Sequence, residues 1–434
     1  MTTSTIRKSV AGVLLVGMAA CFQAQAAGFA LYEASTKGTV MGGAVIGRAT
    51  DASTVYHNPA NMTKLPGTHT MVGVTVIAPS GDVGYIDSGR RYSLRSQYFT
   101  PPHAYLTYQL DERWWLGAGI YSPFGLGTDY KSGWRGSYDN SGADIRTFSF
   151  NPNLAFLVTD DLSLAIGGQV MYLDLVMQKS NFLRMVPQLQ HPQLGPLVTS
   201  SKLNLKGDSY GYGWNVALAY DITDDLTFGM VYRSRVKQHV GGTAKMKGNG
   251  PLGGGTFGLP DSSSASGDVT LPDSISAGLN YKATERLNLG AIATFTHWST
   301  YERLDMKFSS GLGRNPNTGA PLISRSRTEK DWSNVWRLGF GADYVLSGPW
   351  SMQAGYVYDE CPINTANGDF LLPAGNRNLF SLGVSYDESD WTVQLGYTYL
   401  LVKTSHFSAP DTGTPVKFQN ADAHMVAFSV GKKF

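Results

Sequence analysis

The feature that most constrains this chain is an alternation of period two, repeated in segments of about ten residues. Phe148, Phe150, Leu154, Phe156 and Val158 fall on even positions, with mostly small or polar residues between them. Trp332, Trp336, Leu338, Phe340 and Tyr344 share one phase, and Ser333, Arg337, Gly339, Gly341 and Asp343 the other. Phe380, Leu382, Val384 and Tyr386 repeat the pattern, as do Trp391, Val393, Leu395, Tyr397 and Tyr399. Period two places alternate side chains on opposite faces of a strand. One face is apolar with aromatic ends and the other is small and polar. In a soluble sandwich the apolar faces would meet in a core. In a membrane barrel they meet lipid, with Tyr and Trp at the interfaces.

The connections separate these readings. Short polar turns recur near 111–113, 159–161, 221–225, 282–286, 347–349 and 387–390. Between them lie Gly/Ser/Pro-rich stretches near 79–97, 123–146, 178–206, 240–266, 308–330, 361–376 and 404–420. Six short and seven long connections join fourteen strands. Their strict alternation is that of periplasmic turns and extracellular loops. The expectation is an all-β, antiparallel transmembrane barrel of fourteen strands over 68–434, starting with a strand at 68–78. The final stretch alternates Val426, Phe428 and Val430 and ends in Phe434. It resembles the terminal signal read by the barrel assembly machinery.

Composition excludes other classes. Charged residues are 16% of the chain, and 35 basic residues face 33 acidic ones. No general attraction to nucleic acid follows. Arg7 and Lys8, the apolar stretch 10–20 and Ala24-Gln25-Ala26 read as a secretory signal peptide over 1–26. Met18-Ala19-Ala20-Cys21 is a looser, lipoprotein-like rival. Removal of the signal leaves Cys361 as the lone thiol, so no intrachain disulfide is expected. No later run of about 20 apolar residues suggests a membrane helix.

Residues 27–67 lack the strand pattern and are rich in Gly, Ala, Ser and Thr. They are too few to build an independent core, and the economical place for them is inside the barrel, as a plug.

Several motifs carry a specific resemblance. Ala27-Gly28-Phe29, Gly38, Gly42-Gly43-Ala44 and the stretch from Asp51 through Asn58-Pro59-Ala60 to Leu65 resemble the N-terminal hatch of the FadL/TodX family. These are outer-membrane transporters of long-chain fatty acids and aromatic hydrocarbons. The similarity continues through Tyr121-Ser122-Pro123-Phe124-Gly125-Leu126, Tyr232-Arg233-Ser234-Arg235-Val236-Lys237, Leu271-Pro272, Thr296-His297-Trp298-Ser299, 332–339 and Tyr358-Asp359-Glu360-Cys361-Pro362. The resemblance implies a monomeric fourteen-stranded barrel with a hatch, in the outer membrane of a Gram-negative bacterium, performing passive uptake without a cofactor.

Candidate site residues follow from both lines. Phe182, Leu183, Met185 and Val186 form an apolar cluster in a long loop, the kind of patch that marks a binding surface. Met171 and Leu173 are opposite in phase to Leu164, Ile166 and Val170, which puts apolar groups inside the lumen. By alternation Arg233, Arg235 and Arg337 also face inward, where they could meet a carboxylate ligand or pair with lumen acids such as Asp343 or with the hatch. The resemblance places Asn58, Pro59 and Ala60 inside the barrel near its exit, and brings Phe29 to the ligand pocket. Pro123 cannot donate to a ladder and Gly125 often marks a bend. Ser122, Pro123, Phe124 and Gly125 are therefore expected at a break in strand three, where the family wall opens sideways. One departure stands out: Tyr172-Leu173-Asp174 lacks an Arg that some fatty-acid members carry there, which leaves neutral hydrocarbon cargo open.

The expected partners are a hydrophobic small molecule, outer-membrane lipid and lipopolysaccharide. Rival functions are an esterase using Ser209 of Gly207-Asp208-Ser209-Tyr210-Gly211, and an adhesin acting through its loops. His57 and His297 have no partners at metal-ligand spacing.

Overall fold

A computed structural model describes residues 28–180, 190–191, 195–196, 200–249, 262–314, 320–410 and 412–434. The signal expected over 1–26 and the loop residues Phe182, Leu183, Met185 and Val186 lie outside the described residues.

Fourteen antiparallel strands close into a barrel. In chain order they are β1 (Thr68–Tyr85), β2 (Pro102–Gln109), β3 (Trp114–Tyr121, resuming at Gly125–Asp129), β4 (Gly142–Thr159) and β5 (Leu162–Ser180). Then come β6 (Ser200–Thr223), β7 (Leu226–Arg233, resuming at Val236–Asn249), β8 (Ser262–Leu271, resuming at Ser274–Lys282), β9 (Leu287–Thr296, resuming at Arg303–Arg314) and β10 (Pro321–Glu329, resuming at Val335–Ser347). The last four are β11 (Trp350–Asp359), β12 (Arg377–Glu388), β13 (Trp391–Val402) and β14 (Pro415–Lys433). Each pairs with its sequence neighbours, and β1 closes the ring on β14 from His69↔Lys433 to Tyr85↔Val416. No helix among the described residues is long and apolar enough to cross a membrane.

The alternation read from the sequence is the lipid-facing surface. Leu116, Ile120, Ile166, Phe340 and Leu382 point outward and are exposed. Tyr108, Trp114, Tyr220, Tyr281, Trp350 and Trp391 ring the end with short turns, and Tyr210, Tyr212 and Trp336 the other side of the apolar band. The strands run well beyond that band. At ~3.3 Å per residue and a tilt of ~40°, the 24 residues of β6 rise about 60 Å, against roughly 25 Å of apolar belt. Much of what reads as extracellular loop is therefore strand. β1 extends to Tyr85 rather than ending at 78, and β7 and β9 continue to Asn249 and Arg314. Above the lipid an outward side chain no longer has to be apolar, so the sequence signal fades while the ladder continues.

Pro152 lies inside β4, where a ladder donor is missing. The pairing of β4 with β5 skips from Phe150↔Val170 to Asn153↔Gly167. Asn151 repairs it: its Nδ2 donates to the Gly168 carbonyl at 2.6 Å and to Asn215 Oδ1 at 2.8 Å. In a barrel surrounded by lipid such a carbonyl needs a donor from the protein itself.

Residues 28–67 make their contacts with inward-facing groups of the strands. They contain two short helices, α1 (Thr36–Val40) and α2 (Thr54–His57), and a 3₁₀ turn, Pro59–Lys64. Ser35 caps α1 by accepting from the Gly38 amide. Thr36 bonds Ser429 of β14, and the Lys37 amide donates to Gln394 of β13. Asn280 of β8 donates to the Ala44 carbonyl and accepts from the Gly47 amide. Lys37 and Arg48 both bind Asp343 of β10, at 3.0 and 2.9 Å. The inward glycines Gly290 and Gly339 are needed for this approach, since a Cβ at either would collide with the Ala44 or Gly42 carbonyl.

Candidate functional site

Four adjacent strands, β7 to β10, are interrupted just above the aromatic ring on that side of the wall. Their gaps fall at 234–235, 272–273, 297–302 and 330–334. Pro272 lacks a ladder donor, and Trp298–Thr300 forms a 3₁₀ turn. The gaps turn large side chains inward. Trp298, Tyr301 and Trp332 are buried, with Leu304, Met306 and Phe308 above them.

These residues join Met171, Leu173 and Leu175 of β5, Val236 and Val240 of β7, and Leu126 of β3 in one apolar cluster inside the barrel. The inward phase of Met171 and Leu173 agrees with the alternation. Phe29 sits within this cluster. Its ring meets Trp298 at 4.8 Å, Tyr301 at 5.6 Å, Trp332 at 5.8 Å and Phe124 at 6.0 Å between centroids.

The break in β3 lies beside it. Residues 122–124 stand against only two residues of β4, 147 and 148, so β3 bulges and its inward phase shifts from Tyr121 to Leu126. The Thr147 hydroxyl accepts from the Phe124 amide at 3.0 Å and donates to its carbonyl at 2.6 Å. The N-terminal segment supplies the rest. The Leu31 amide donates to the Pro123 carbonyl at 2.8 Å, and the Gly125 amide donates to the Phe29 carbonyl at 2.7 Å. Ala30 thus bridges Phe124 as a one-residue antiparallel strand. Ser122, Pro123, Phe124 and Gly125 mark a wall break covered by the same residue whose ring enters the apolar cluster.

The arginines separate. Arg233 is bound by the N-terminal segment: its guanidinium donates to the Tyr56 carbonyl and lies 4.8 Å over the Tyr56 ring. Arg337 is buried at the edge of the apolar cluster, over the ring of Tyr32 at 4.3 Å. It pairs with Asp359 at 3.0 Å rather than with Asp343, and Arg377 shares that carboxylate. Arg235 does not face the lumen. The gap at 234–235 advances the phase by one, so Val236 and Gln238 point inward and Arg235 is exposed, paired with Asp273 at 3.1 Å. The same effect removes Trp332 from the lipid-facing row to which strict alternation assigns it, and places it in the cluster.

Asn58 Nδ2 donates to the Ile46 carbonyl at 2.8 Å and to the Leu218 carbonyl of β6 at 2.9 Å, while its Oδ1 accepts from Ala60. Pro59 opens the 3₁₀ turn, and Ala60 is buried. This turn ties the N-terminal segment to the wall. Above the membrane, Lys330 is buried and paired with Asp369, and burial pulls its ammonium down to about 8. Burial pushes the Cys361 thiol up to about 11.

Ser209 lies within the continuous strand β6 and donates to Gln238 at 2.7 Å, so it has no strand–turn–helix elbow. His57 contacts Ser35, and His297 contacts Asp273. No group of three or more metal-binding side chains occurs among the described residues. Sequence reasoning missed Trp298, Tyr301 and Trp332 as site residues. The available signals were Pro272, which cannot sit in a central strand, and the close spacing of Trp298 and Tyr301.

Known proteins give this arrangement its context. Residues 17–434 match the family model described as outer membrane protein transport protein (OMPP1/FadL/TodX). The chain is 24% identical over 411 residues to the long-chain fatty acid transport protein of Escherichia coli K12, covering 87% of this chain and 88% of that one. It is 26% identical over 437 residues to outer membrane protein P1 of Haemophilus influenzae, covering 90% and 89%. In fold it is similar to a Pseudomonas aeruginosa FadL homologue, with a TM-score of 0.81 at 21% identity over 94% of this chain and 100% of that one. It is also similar to the Pseudomonas putida toluene transporter TodX, with a TM-score of 0.72 at 17% identity over 93% and 99%. Members of this family are passive channels and not enzymes. The chain belongs to the OMPP1/FadL/TodX family and is an outer-membrane transporter of hydrophobic compounds.

Proposed function

We propose that the cargo is a long-chain fatty acid or a similar hydrophobic compound, and that it leaves sideways into the membrane beside residues 122–125. The observation that carries this reading is the double engagement of Phe29, whose ring fills the apolar cluster while its carbonyl covers the break in β3. Cargo entering the cluster competes with the Phe29 ring for Trp298, Tyr301 and Trp332. Displacing that ring also pulls its carbonyl from the Gly125 amide, so occupancy of the site and opening of the wall are coupled. An apolar molecule then reaches lipid without crossing the polar end of the barrel. In this scheme 27–67 acts as the hatch, and the Asn58-Pro59-Ala60 turn holds its lower part while the Phe29 end moves.

Arg337 and Arg377, two guanidinium groups on the Asp359 carboxylate at the edge of the cluster, favour a cargo with an acid group. The aromatic ring set around Phe29 favours the second reading, an aromatic hydrocarbon. Uptake of radiolabelled oleate and toluene at limiting concentration separates them, in a host lacking its own channels of this family. The fatty-acid reading requires saturable oleate uptake, reduced when Arg337 becomes Gln. Saturable uptake of toluene alone would overturn it.

A further inference from the structure

We infer that the outer face of the extracellular barrel carries a binding site for a phosphorylated core sugar of lipopolysaccharide, built on Lys202, Lys247, Lys131 and Arg95. These cations line a pocket of about 500 Å3, within the range typical of ligand sites. The lining includes one carboxylate, Asp129, which stands 3.5 Å from Arg95. Ser132, Ser141, Ser180 and Gln178 add hydroxyl and amide groups. Four cations to one carboxylate, interleaved with neutral hydrogen-bonding groups, suit an anionic sugar.

The lysines are placed against ordinary sheet electrostatics. Lys202 of β6 and Lys247 of β7 are direct cross-strand partners, both exposed. Like charges in such a pair repel. Neither lysine makes an ion pair among the described residues. Lysine often guards the free edge of a sheet, but a closed barrel has no such edge here. The repulsion is relieved when a phosphate bridges the pair.

The floor is rigid. Trp134 is buried and stacks on Tyr130 at 3.9 Å between centroids, with its indole N–H donating to the Asn140 carbonyl at 2.9 Å. Lys131 lies in the loop between these two stacked residues. The cleft thus has a packed aromatic floor beneath its cations.

Height and direction choose the ligand. The outward aromatic ring on these strands is marked by Tyr172 and Tyr210, whose centroids are 5.0 Å apart. Gln178 and Lys202 lie six and eight residues further along β5 and β6. At ~3.3 Å per residue and ~40° of tilt they stand roughly 15–20 Å above the lipid boundary. At that height the outer leaflet presents the phosphorylated inner sugars of its glycolipid, beyond the acyl chains. Lys202 and Lys247 are exposed and opposite in phase to Leu205 and Met246, which are buried in the apolar cluster, so the two lysines point outward from the wall.

The test uses the full-length protein in neutral detergent, with heat-modifiable gel mobility to verify folding. Purified rough-type lipopolysaccharide, with an intact phosphorylated core, is titrated against the wild type and the Lys202→Gln/Lys247→Gln variant. Retained glycolipid per barrel is read by native mass spectrometry. The expected result is binding by the wild type and a loss of about tenfold or more in the double variant. Lys202→Arg/Lys247→Arg should restore it. Core-dephosphorylated lipopolysaccharide should bind the wild type as weakly as the intact form binds the double Gln variant. Lys245→Gln, on the same face but outside the pocket, should change nothing. Equal binding by wild type and double variant, or indifference to core phosphate, would overturn the proposal. So would equal capture of a soluble sugar phosphate, which would assign the pocket to a free metabolite instead.

Discussion

Phe29→Ala gives the sharpest perturbation of the coupling between the apolar cluster and the wall. The ring is buried against four aromatic partners. Truncating a buried Phe to Ala costs about 3–5 kcal/mol. The two hydrogen bonds that hold residues 29–31 to β3 remain available, and they contribute roughly 0.5–1.5 kcal/mol each. The ring is therefore the larger part of what docks this segment. Its loss should raise the undocked population by about 10²- to 10⁴-fold, at 1.4 kcal/mol per tenfold. Hydrogen exchange reads this directly, because the Leu31 and Gly125 amides are protected only while the segment is docked. Both should lose protection by that factor. The Ile77 amide, bonded to the Phe99 carbonyl at 2.7 Å on the neighbouring wall, should not. Unchanged exchange at Leu31 and Gly125 in a folded variant would refute the reasoning. Equal loss at Ile77 would also refute it, since Phe29 would then be holding the barrel rather than the segment.

Other consequences follow from the same contacts. Replacing Asn58 and Pro59 together by Ala removes the tie to Leu218 and should leave the barrel folded by gel mobility while uptake falls several-fold. Gly339→Val should displace the N-terminal segment from β10, exposing 28–66 to added protease with the strands intact. Asn151→Leu leaves the Gly168 carbonyl without its side-chain donor and should lower unfolding stability by about 1–3 kcal/mol in detergent. With its thiol raised to about 11, Cys361 should alkylate at pH 8 on the order of tenfold more slowly than an ordinary exposed thiol, even allowing for its greater intrinsic nucleophilicity. Mass spectrometry of an iodoacetamide time course checks this.

The barrel was legible because lipid imposes period two on every strand that crosses it. Trp391 to Tyr399 could be read from one alternation alone. The same rule misled where the wall breaks. Arg235 and Trp332 each lie in a gap that resets the phase, and no count of alternation carries across it. Pro272 and Pro123 mark the breaks in the sequence, but not which side chains then turn inward. The upper strands were hidden because outside the lipid their outward residues are Lys, Ser and Asp, which read as loop. The seat of the N-terminal segment left a trace in the inward glycines, but a small residue in a strand does not say whose backbone it admits. Arg337 was expected inward and is; its partner Asp359 could not be told from Asp343 by spacing, because both lie on the lumen side of neighbouring strands.

Sealing the break tests the central claim most directly. Ala30 and Phe124 are bridged antiparallel partners, a spacing suited to a disulfide. With Cys361 changed to Ser, cysteines at 30 and 124 would lock the N-terminal segment over the gap when oxidised and free it when reduced. The measurement is oleate uptake by the same cells before and after reduction, with the bond verified by mass spectrometry. Lateral release predicts uptake near background in the oxidised form and full recovery on reduction. Normal uptake through the verified seal would contradict it and leave axial passage through the barrel as the route.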